Sequence, residues 1–269
     1  MTKNKTRLDK FIAERYPALS RSKIQELITQ GVVTVNGTVI TRSNFLTEDQ
    51  AALEVDTAML KYVSRAGFKL EHALREFKLS VNDHVCLDAG LSTGGFTDCL
   101  LQHGARKVYG VDVGTAQVDQ KIAQDSRVVI MENTDIRNIL PPTSTFNENT
   151  PQPLTLSKVE GSKRLQELVD ILTLDLSFIS LAKIIEQAAP LLKPGGILIT
   201  LIKPQFEVGF ELANKFKGII TDPEVQQQTV DTVIQAITSV GFDFKKLTES
   251  PILGGSGNKE FLAYFVKKL

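Results

Sequence analysis

Apolar residues along this chain follow two rhythms. Near 84–88, 107–112, 128–132, 169–175 and 196–202 they run almost without interruption, as in Val169-Asp170-Ile171-Leu172-Thr173-Leu174. Short continuous runs ending in Asp, Gly or Lys predict strands buried on both faces. Between them the spacing changes to the helical period. It predicts helices near 95–103, 115–124, 180–192 and 223–240, and one from Arg65 that carries Phe68, Leu70, Ala73, Leu74 and Phe77. The helix at 223 has a full start signal, with Asp222 as N-cap, Pro223 at N1 and Glu224 in the first turn. This βα alternation predicts an α/β, Rossmann-like doubly wound sheet. Two final strands are expected at 242–248 and 261–266. The loop between them is too short for a crossover helix, so they should pair antiparallel.

The first fifty residues are built differently. Leu8, Phe11 and Ile12 make one apolar stripe, and Ile24, Leu27 and Ile28 another, predicting two short amphipathic helices within 7–30. Ser22 with Gln25 fits a capping box, and Gly31 stands where a helix C′ glycine belongs. Val32 to Ile40 then read as a β-hairpin turning on Asn36-Gly37. A strand near 52–55 would complete a small α+β module. The expected organisation is a module over 1–56, a connector over 57–62 and a large domain over 63–269. Within the large domain, 141–163 is a Pro-, Thr-, Ser- and Asn-rich insertion.

Bulk properties narrow the function. At 269 residues and 42% hydrophobic, the chain can bury one large core and one small one. No apolar run approaches the ~20 residues that span a bilayer. Met1 to Arg7 is basic but lacks an apolar segment behind it, so no secretory signal is expected. Cys86 and Cys99 both lie in apolar surroundings, as in a reduced, cytoplasmic protein. His72, His84 and His103 are scattered, and no metal site is expected. Formal net charge is zero, yet residues 1–45 hold eight Lys/Arg against three acids. A basic N-terminal module on a slightly acidic body suggests that the module meets a polyanion, although ordinary surface charge would look the same.

The most informative stretch is Leu87-Asp88-Ala89-Gly90-Leu91-Ser92-Thr93-Gly94-Gly95-Phe96-Thr97-Asp98. It leads from a strand through glycines onto a helix start, where a ligand can approach backbone N–H groups. The glycines fit neither the dinucleotide fingerprint nor a phosphate-binding P-loop. A nucleoside with an amino-acid tail fits better, and S-adenosylmethionine is the commonest such ligand. In an open α/β sheet, ligands sit beyond the C-terminal strand ends. Asp88, Asp112 and Asp135 fall there as expected contacts, Asp112 for ribose hydroxyls and Asp135 for an adenine amino group. Asp175 and Lys203 end two further strands, where pairing would offset their desolvation, either structurally or in catalysis.

Several motifs carry a resemblance. Arg7-Leu8-Asp9-Lys10-Phe11, Leu19-Ser20-Arg21-Ser22-Lys23 and Gly31 to Gly37 resemble the S4 RNA-binding domain. Arg7, Lys10, Arg21 and Lys23 would then track phosphates. Tyr62 to Leu70, Ser92 to Asp98, Gly110 to Gly114, Asp175 to Leu181, Lys203 to Glu207 and Gly257 to Phe261 resemble the FtsJ-like ribose 2′-O-methyltransferases. The combination is similar to the TlyA family of ribosomal RNA methyltransferases, also labelled hemolysin A. Ala89-Gly90-Leu91 and the 141–163 insertion depart from the pattern without touching the catalytic positions.

The resemblance implies a Lys-Asp-Lys-Glu tetrad at Lys69, Asp175, Lys203 and Glu260, with Lys203 as the base acting on a 2′-hydroxyl. Lys203 works only in its neutral form, so its surroundings must disfavour its charge. Asp175 would orient Lys203, and Glu260 would orient Lys69. The resemblance also implies cofactor contacts from Asp88, Gly90, Ser92, Thr93, Gly94, Gly95, Phe96, Asp112, Val113 and Asp135. RNA contacts are expected from Arg7, Lys10, Arg21, Lys23 and Arg65. The partner implied is ribosomal RNA, at cytidine, or a ribosomal subunit. Three other classes fit the sequence less well. A non-catalytic RNA-binding scaffold would not need all four tetrad residues. A membrane-lytic protein should show an amphipathic or long apolar stretch that is absent. An NAD-dependent oxidoreductase lacks its glycine fingerprint.

Overall fold

The computed structural model describes residues 5–29, 31–56, 60–143, 163–254 and 257–269. Most of the expected insertion, part of the expected connector, and Gly255 and Ser256 lie outside these residues. The chain divides into two compact units, residues 1–61 and 62–269.

In the smaller unit β1 (Lys5–Arg7) leads directly into α1 (Leu8–Arg15) and then α2 (Arg21–Thr29). β2 (Val33–Val35) and β3 (Thr38–Val39) form the hairpin, followed by β4 (Leu46–Glu48) and β5 (Leu53–Val55). Asn36 and Gly37 both hold positive φ, 52° and 75°, as the primed turn between β2 and β3 requires. The core joins Leu8, Phe11 and Ile12 of α1 to Ile24, Leu27 and Ile28 of α2, all at 0–1% exposure. Two local details differ from the sequence expectation. Helix α2 starts one residue before Ser22, so the cap is Ser20, whose Oγ accepts from Lys23 N at 3.2 Å. β1 pairs antiparallel with β4, a ladder of three residues per strand that is too short to leave a pattern in the sequence.

The larger unit opens with α3 (Ala66–Phe77), then β6 (Val85–Ala89), α4 (Gly95–Gln102), β7 (Lys107–Val111), α5 (Gln120–Ala123) and β8 (Val128–Met131). Short pairing segments β9 (Ile139–Leu140) and β10 (Lys163–Arg164) flank the undescribed stretch. β11 (Val169–Leu174), α6 (Ile185–Ala188), β12 (Leu192–Ile202), α7 (Pro204–Glu207), α8 (Phe210–Lys215), α9 (Pro223–Ser239), β13 (Phe242–Glu249) and β14 (Phe261–Lys267) complete it. One seven-stranded sheet runs in the order β13-β14-β12-β11-β6-β7-β8. Its pairs are parallel from β12 to β8, whereas β14 runs antiparallel to both β12 and β13.

Burial explains why the strands read as continuous runs. All five residues of β6 are buried, because apolar clusters cover both faces of the sheet. Fully burying each large aliphatic side chain contributes about 1.5–3 kcal/mol relative to exposure. Two predicted helices are shorter than their pattern. Only Gln120–Ala123 is helical within 115–124, because Ala116 takes a φ of 55° and Asp119 caps the turn through Lys121 N. The segment 180–192 breaks into 3₁₀ turns around α6, and β12 already begins at Leu192.

Candidate active site

Chain direction changes sides between β6 and β11, which are neighbours in the sheet but are followed by connections leading opposite ways. Such a switch point leaves a crevice beyond the strand ends. A cavity of about 410 Å³ lies there, lined by strand exits. β6 contributes Ala89, Gly90 and Ser92; β7 contributes Val111 to Gly114; Thr134 to Ile136 follow β8; and Asp175 to Ile179 follow β11.

The glycine loop is held by acids rather than by chance. Asp112 accepts from Ser92 N and from Gly114 N, each at 2.7 Å, so one carboxylate ties two loops at the cavity wall. Beside it Val113 is an exposed apolar side chain. Asp135 lines the same cavity, caps a 3₁₀ turn and pairs with Arg137 at 2.6 Å. The Arg137 guanidinium holds the Asp135 carboxyl below its ordinary range.

Not every expected cofactor contact reaches the cavity. Asp88 is fully buried, and its oxygens accept from Thr97 Oγ1 at 2.7 Å and Thr173 Oγ1 at 3.0 Å. Burial pushes it up to about 6. Asp88 thus ties β6 to α4 and β11 and does not line the cavity. Thr93, Gly94, Gly95 and Phe96 are also absent from the lining. Gly94 packs over Ile122, Gly95 lies against Ser64, Phe96 is 2% exposed, and Thr93 accepts from Asp119 N. These residues shape the loop from behind. Gly90, Ser92, Asp112, Val113 and Asp135 face the cavity.

The four charged residues of the tetrad form two ion pairs. Lys69 Nζ lies 2.5 Å from Glu260 Oε2, and Lys203 Nζ lies 2.6 Å from Asp175 Oδ1. All four side chains are at most 13% exposed. Antiparallel register pairs Ile202 with Phe261, so the next residue of β12's exit, Lys203, faces Glu260 across the strands. The pairs therefore meet at one sheet end. Asp175 also lines the cavity, which connects that end to the ligand crevice.

Sequence reasoning assigned no role to Ser177, Phe178, Phe206 and Glu207, although all lie in the two loops that carry Asp175 and Lys203. Lys203 Nζ donates to Ser177 Oγ at 3.0 Å. Phe178 is 90% exposed and its ring lies 4.9 Å from that of Phe206. Glu207 Oε1 accepts from Leu181 N at 2.9 Å, and burial raises its carboxyl above the ordinary range. In the smaller unit, Arg7 is committed to Asp9 through a two-toothed contact at 3.0 and 2.8 Å. Lys10 is exposed, the Arg21 side chain is 76% exposed and 3.8 Å from Asp9, and Lys23 is half-buried. Arg65, at the start of α3, is half-buried. Among the described residues no group of three or more His, Cys, Asp or Glu could hold a metal ion, and no helix is long and apolar enough to cross a membrane.

Sheet order, crevice and paired lysines together define a methyltransferase of the doubly wound class. Comparison with known proteins makes the class specific. Residues 62–267 match the FtsJ-like methyltransferase family and residues 6–48 match the S4 domain. Hemolysin A of Brachyspira hyodysenteriae is 40% identical over 97% of this chain and 99% of its own length. The 16S/23S rRNA (cytidine-2′-O)-methyltransferase TlyA of Mycobacterium tuberculosis is 33% identical over 97% of this chain and 89% of its own. The solved structure of a hemolysin from Streptococcus thermophilus superposes with a TM-score of 0.70 at 36% identity, covering 99% of this chain and 90% of that one. The chain belongs to the FtsJ-like methyltransferases that carry an S4 domain, the family of TlyA and hemolysin A.

Proposed function

We propose that the protein transfers a methyl group from S-adenosylmethionine to a ribose 2′-hydroxyl of cytidine in ribosomal RNA. The observation that carries this reading is the Lys203–Asp175 pair at the wall of the switch-point cavity, opposite Glu260 and its partner Lys69. The named activity of the Mycobacterium tuberculosis relative supports the same reaction.

The cavity suits a nucleoside with an amino-acid tail. Asp112 offers acceptor oxygens for ribose hydroxyls, Val113 an apolar surface for the adenine, and Asp135 an acceptor for its amino group. Gly90 and Ser92 bring backbone close to the tail. When bound, S-adenosylmethionine supplies an electrophilic methyl group on a cationic sulfur. Lys203 removes the proton of the attacking 2′-hydroxyl and holds it on Nζ, while Asp175 compensates the charge that develops there. Lys69, neutralised by Glu260, shapes the field beside the base. Positioning of the two reactants supplies much of the remaining rate.

Phe178 is an exposed aromatic face at this rim and serves as a platform for a nucleobase of single-stranded or extruded RNA. In the smaller unit, Lys10 and Arg21 present cations for phosphates, with Lys23 in a supporting position; in the larger unit Arg65, at the start of α3, offers a further cation.

The test is transfer of labelled methyl to separated ribosomal subunits and their naked RNAs, with Lys203→Ala alongside. Label recovered as 2′-O-methylcytidine from one substrate, and lost with the variant, is the expected result. Label on a base atom, or equal label with Lys203→Ala, would overturn the ribose assignment.

A further inference from the structure

A lysine that acts as a base needs more than proximity to its substrate, because its lone pair must face the proton. A neutral amine has two N–H bonds and one lone pair, so each N–H that is fixed narrows the directions the lone pair can take. Asp175 cannot fix Nζ alone. Its Oδ1 is 2.6 Å from Lys203 Nζ, yet the contact is off the line of a hydrogen bond and leaves Oδ1 without one. The regular, directional hydrogen bond of Lys203 is the one it donates to Ser177 Oγ at 3.0 Å.

Ser177 is itself held firmly. It precedes Phe178, whose φ of 64° is a costly conformation for a bulky side chain and bends the chain sharply after β11. Two further ties lock the Asp175–Leu181 loop to the segment after β12. The Phe178 and Phe206 rings meet at 4.9 Å, and Leu181 N donates to Glu207 Oε1 at 2.9 Å. The loop strain thus keeps the Ser177 hydroxyl in reach of Nζ and on the cavity wall.

We propose that Ser177 is the positioning residue of the reaction, accepting one N–H of Lys203 so that the amine's lone pair is directed at the 2′-hydroxyl, while Asp175 contributes charge. The inference rests on the reading of Lys203 as the base. It assigns direction to an uncharged hydroxyl outside the tetrad.

The experiment compares Ser177→Ala, Ser177→Val and Ser177→Thr in the full chain, with methyl transfer to ribosomal RNA and S-adenosylmethionine titration as readouts. Thr keeps the hydroxyl, and Val is its isostere without one. Loss of a hydrogen bond to the amine as it becomes charged in the transition state should lower kcat about 10- to 100-fold in Ala and Val. Thr should stay within about 3-fold of wild type, and the loss in Ala and Val should fall on kcat rather than on the KM for RNA. Unchanged kcat in Ala and Val, or equal loss in Thr and Val, overturns the inference. Crystal structures of wild type and Ser177→Ala read the geometry without turnover. Lys203 Nζ displaced in the variant supports the proposal, and Nζ in the same place overturns it. Should wild type methylate no ribosomal RNA, the functional reading falls, and the two crystal structures still decide what Ser177 does to Lys203.

Discussion

A Cβ atom placed on Gly90 would collide with the carbonyl oxygen of Asp175. Asp175 N in turn donates to Ala89 O at 2.9 Å, so the Gly90 loop and the chain at Asp175 share one tightly packed backbone contact. Gly90 also has a φ of 93°, which only glycine adopts at low cost. Gly90→Ala should therefore lose about 1–3 kcal/mol of stability and weaken S-adenosylmethionine binding and catalysis together. Thermal unfolding and cofactor titration check it. Normal binding in a stable Gly90→Ala protein would show that the two loops move independently.

Removing the charged pair should separate chemistry from binding. Lys203→Ala and Asp175→Asn are expected to cut kcat by at least about 100-fold, and Lys203→Ala should change cofactor affinity little, because Lys203, unlike Asp175, does not line the cavity. Lys69→Met leaves Glu260 buried without its cation and should cost about 3–5 kcal/mol of stability as well as rate. The double variant Lys69→Met with Glu260→Gln should recover part of that stability. Chemical denaturation of the three proteins tests this, and a double variant no more stable than the single one would contradict it.

Asp88 sets a pH dependence whose sign is unusual for a carboxylate. Burial raises it to about 6 in the folded protein, whereas the unfolded chain releases that proton near the ordinary value of about 4. Between these values the folded state binds more protons. The contribution to stability is full below about pH 4, declines as pH rises and is lost above about 6, amounting to roughly 3 kcal/mol by linkage. Asp88→Asn, neutral throughout, should show a shallower fall in stability over that window. Parallel pH slopes for the two proteins would mean that Asp88 stays ionised in the fold.

Arg7 and Arg21 flank the same carboxylate but should answer differently to mutation. Arg7 satisfies Asp9, which is 3% exposed, so Arg7→Ala should lower the thermal stability of the full chain more than its RNA affinity. Lys10→Ala with Arg21→Ala should instead weaken binding of a ribosomal RNA fragment. The pair should also reduce the salt slope of binding by about 2, one phosphate contact each. An unchanged slope would remove both residues from the RNA surface.

Run length made the large sheet readable, because strands covered on both faces need uninterrupted apolar sequence. The same property placed Asp112, Asp175 and Lys203 at strand exits before any geometry was known. Glu260 and Lys69 lie 191 residues apart, and their contact depends on β14 folding back antiparallel beside β12. No local spacing encodes that, and the family resemblance supplied it. The burial of Asp88 was not legible for a related reason. An acid at a strand exit looks alike in sequence whether it faces a ligand or two buried threonines. Ser177 and Phe178 stood inside a recognised motif, but a hydroxyl aimed at lysine and a phenyl ring aimed at solvent become visible only with the chain's bend.

That bend leads to the last prediction, in which stability and function should move in opposite directions. Phe178 has positive φ, 64°, and is 90% exposed, so little burial offsets its backbone cost. Glycine at this position would relieve the strain, and Phe178→Gly should raise stability by a few tenths to about 1 kcal/mol. The same change removes the aromatic face at the cavity rim. If a base stacks there, the KM for RNA should rise roughly 5- to 100-fold, in line with the energy of base–aromatic stacking. Phe178→Tyr should keep both the strain and the affinity. Steady-state kinetics over RNA concentration, read beside thermal unfolding, give the two signs. A Phe178→Gly protein that is less stable with unchanged RNA KM would make the ring a structural prop against Phe206. The predicted inverse pattern would mean that the backbone strain persists because the exposed ring serves the substrate.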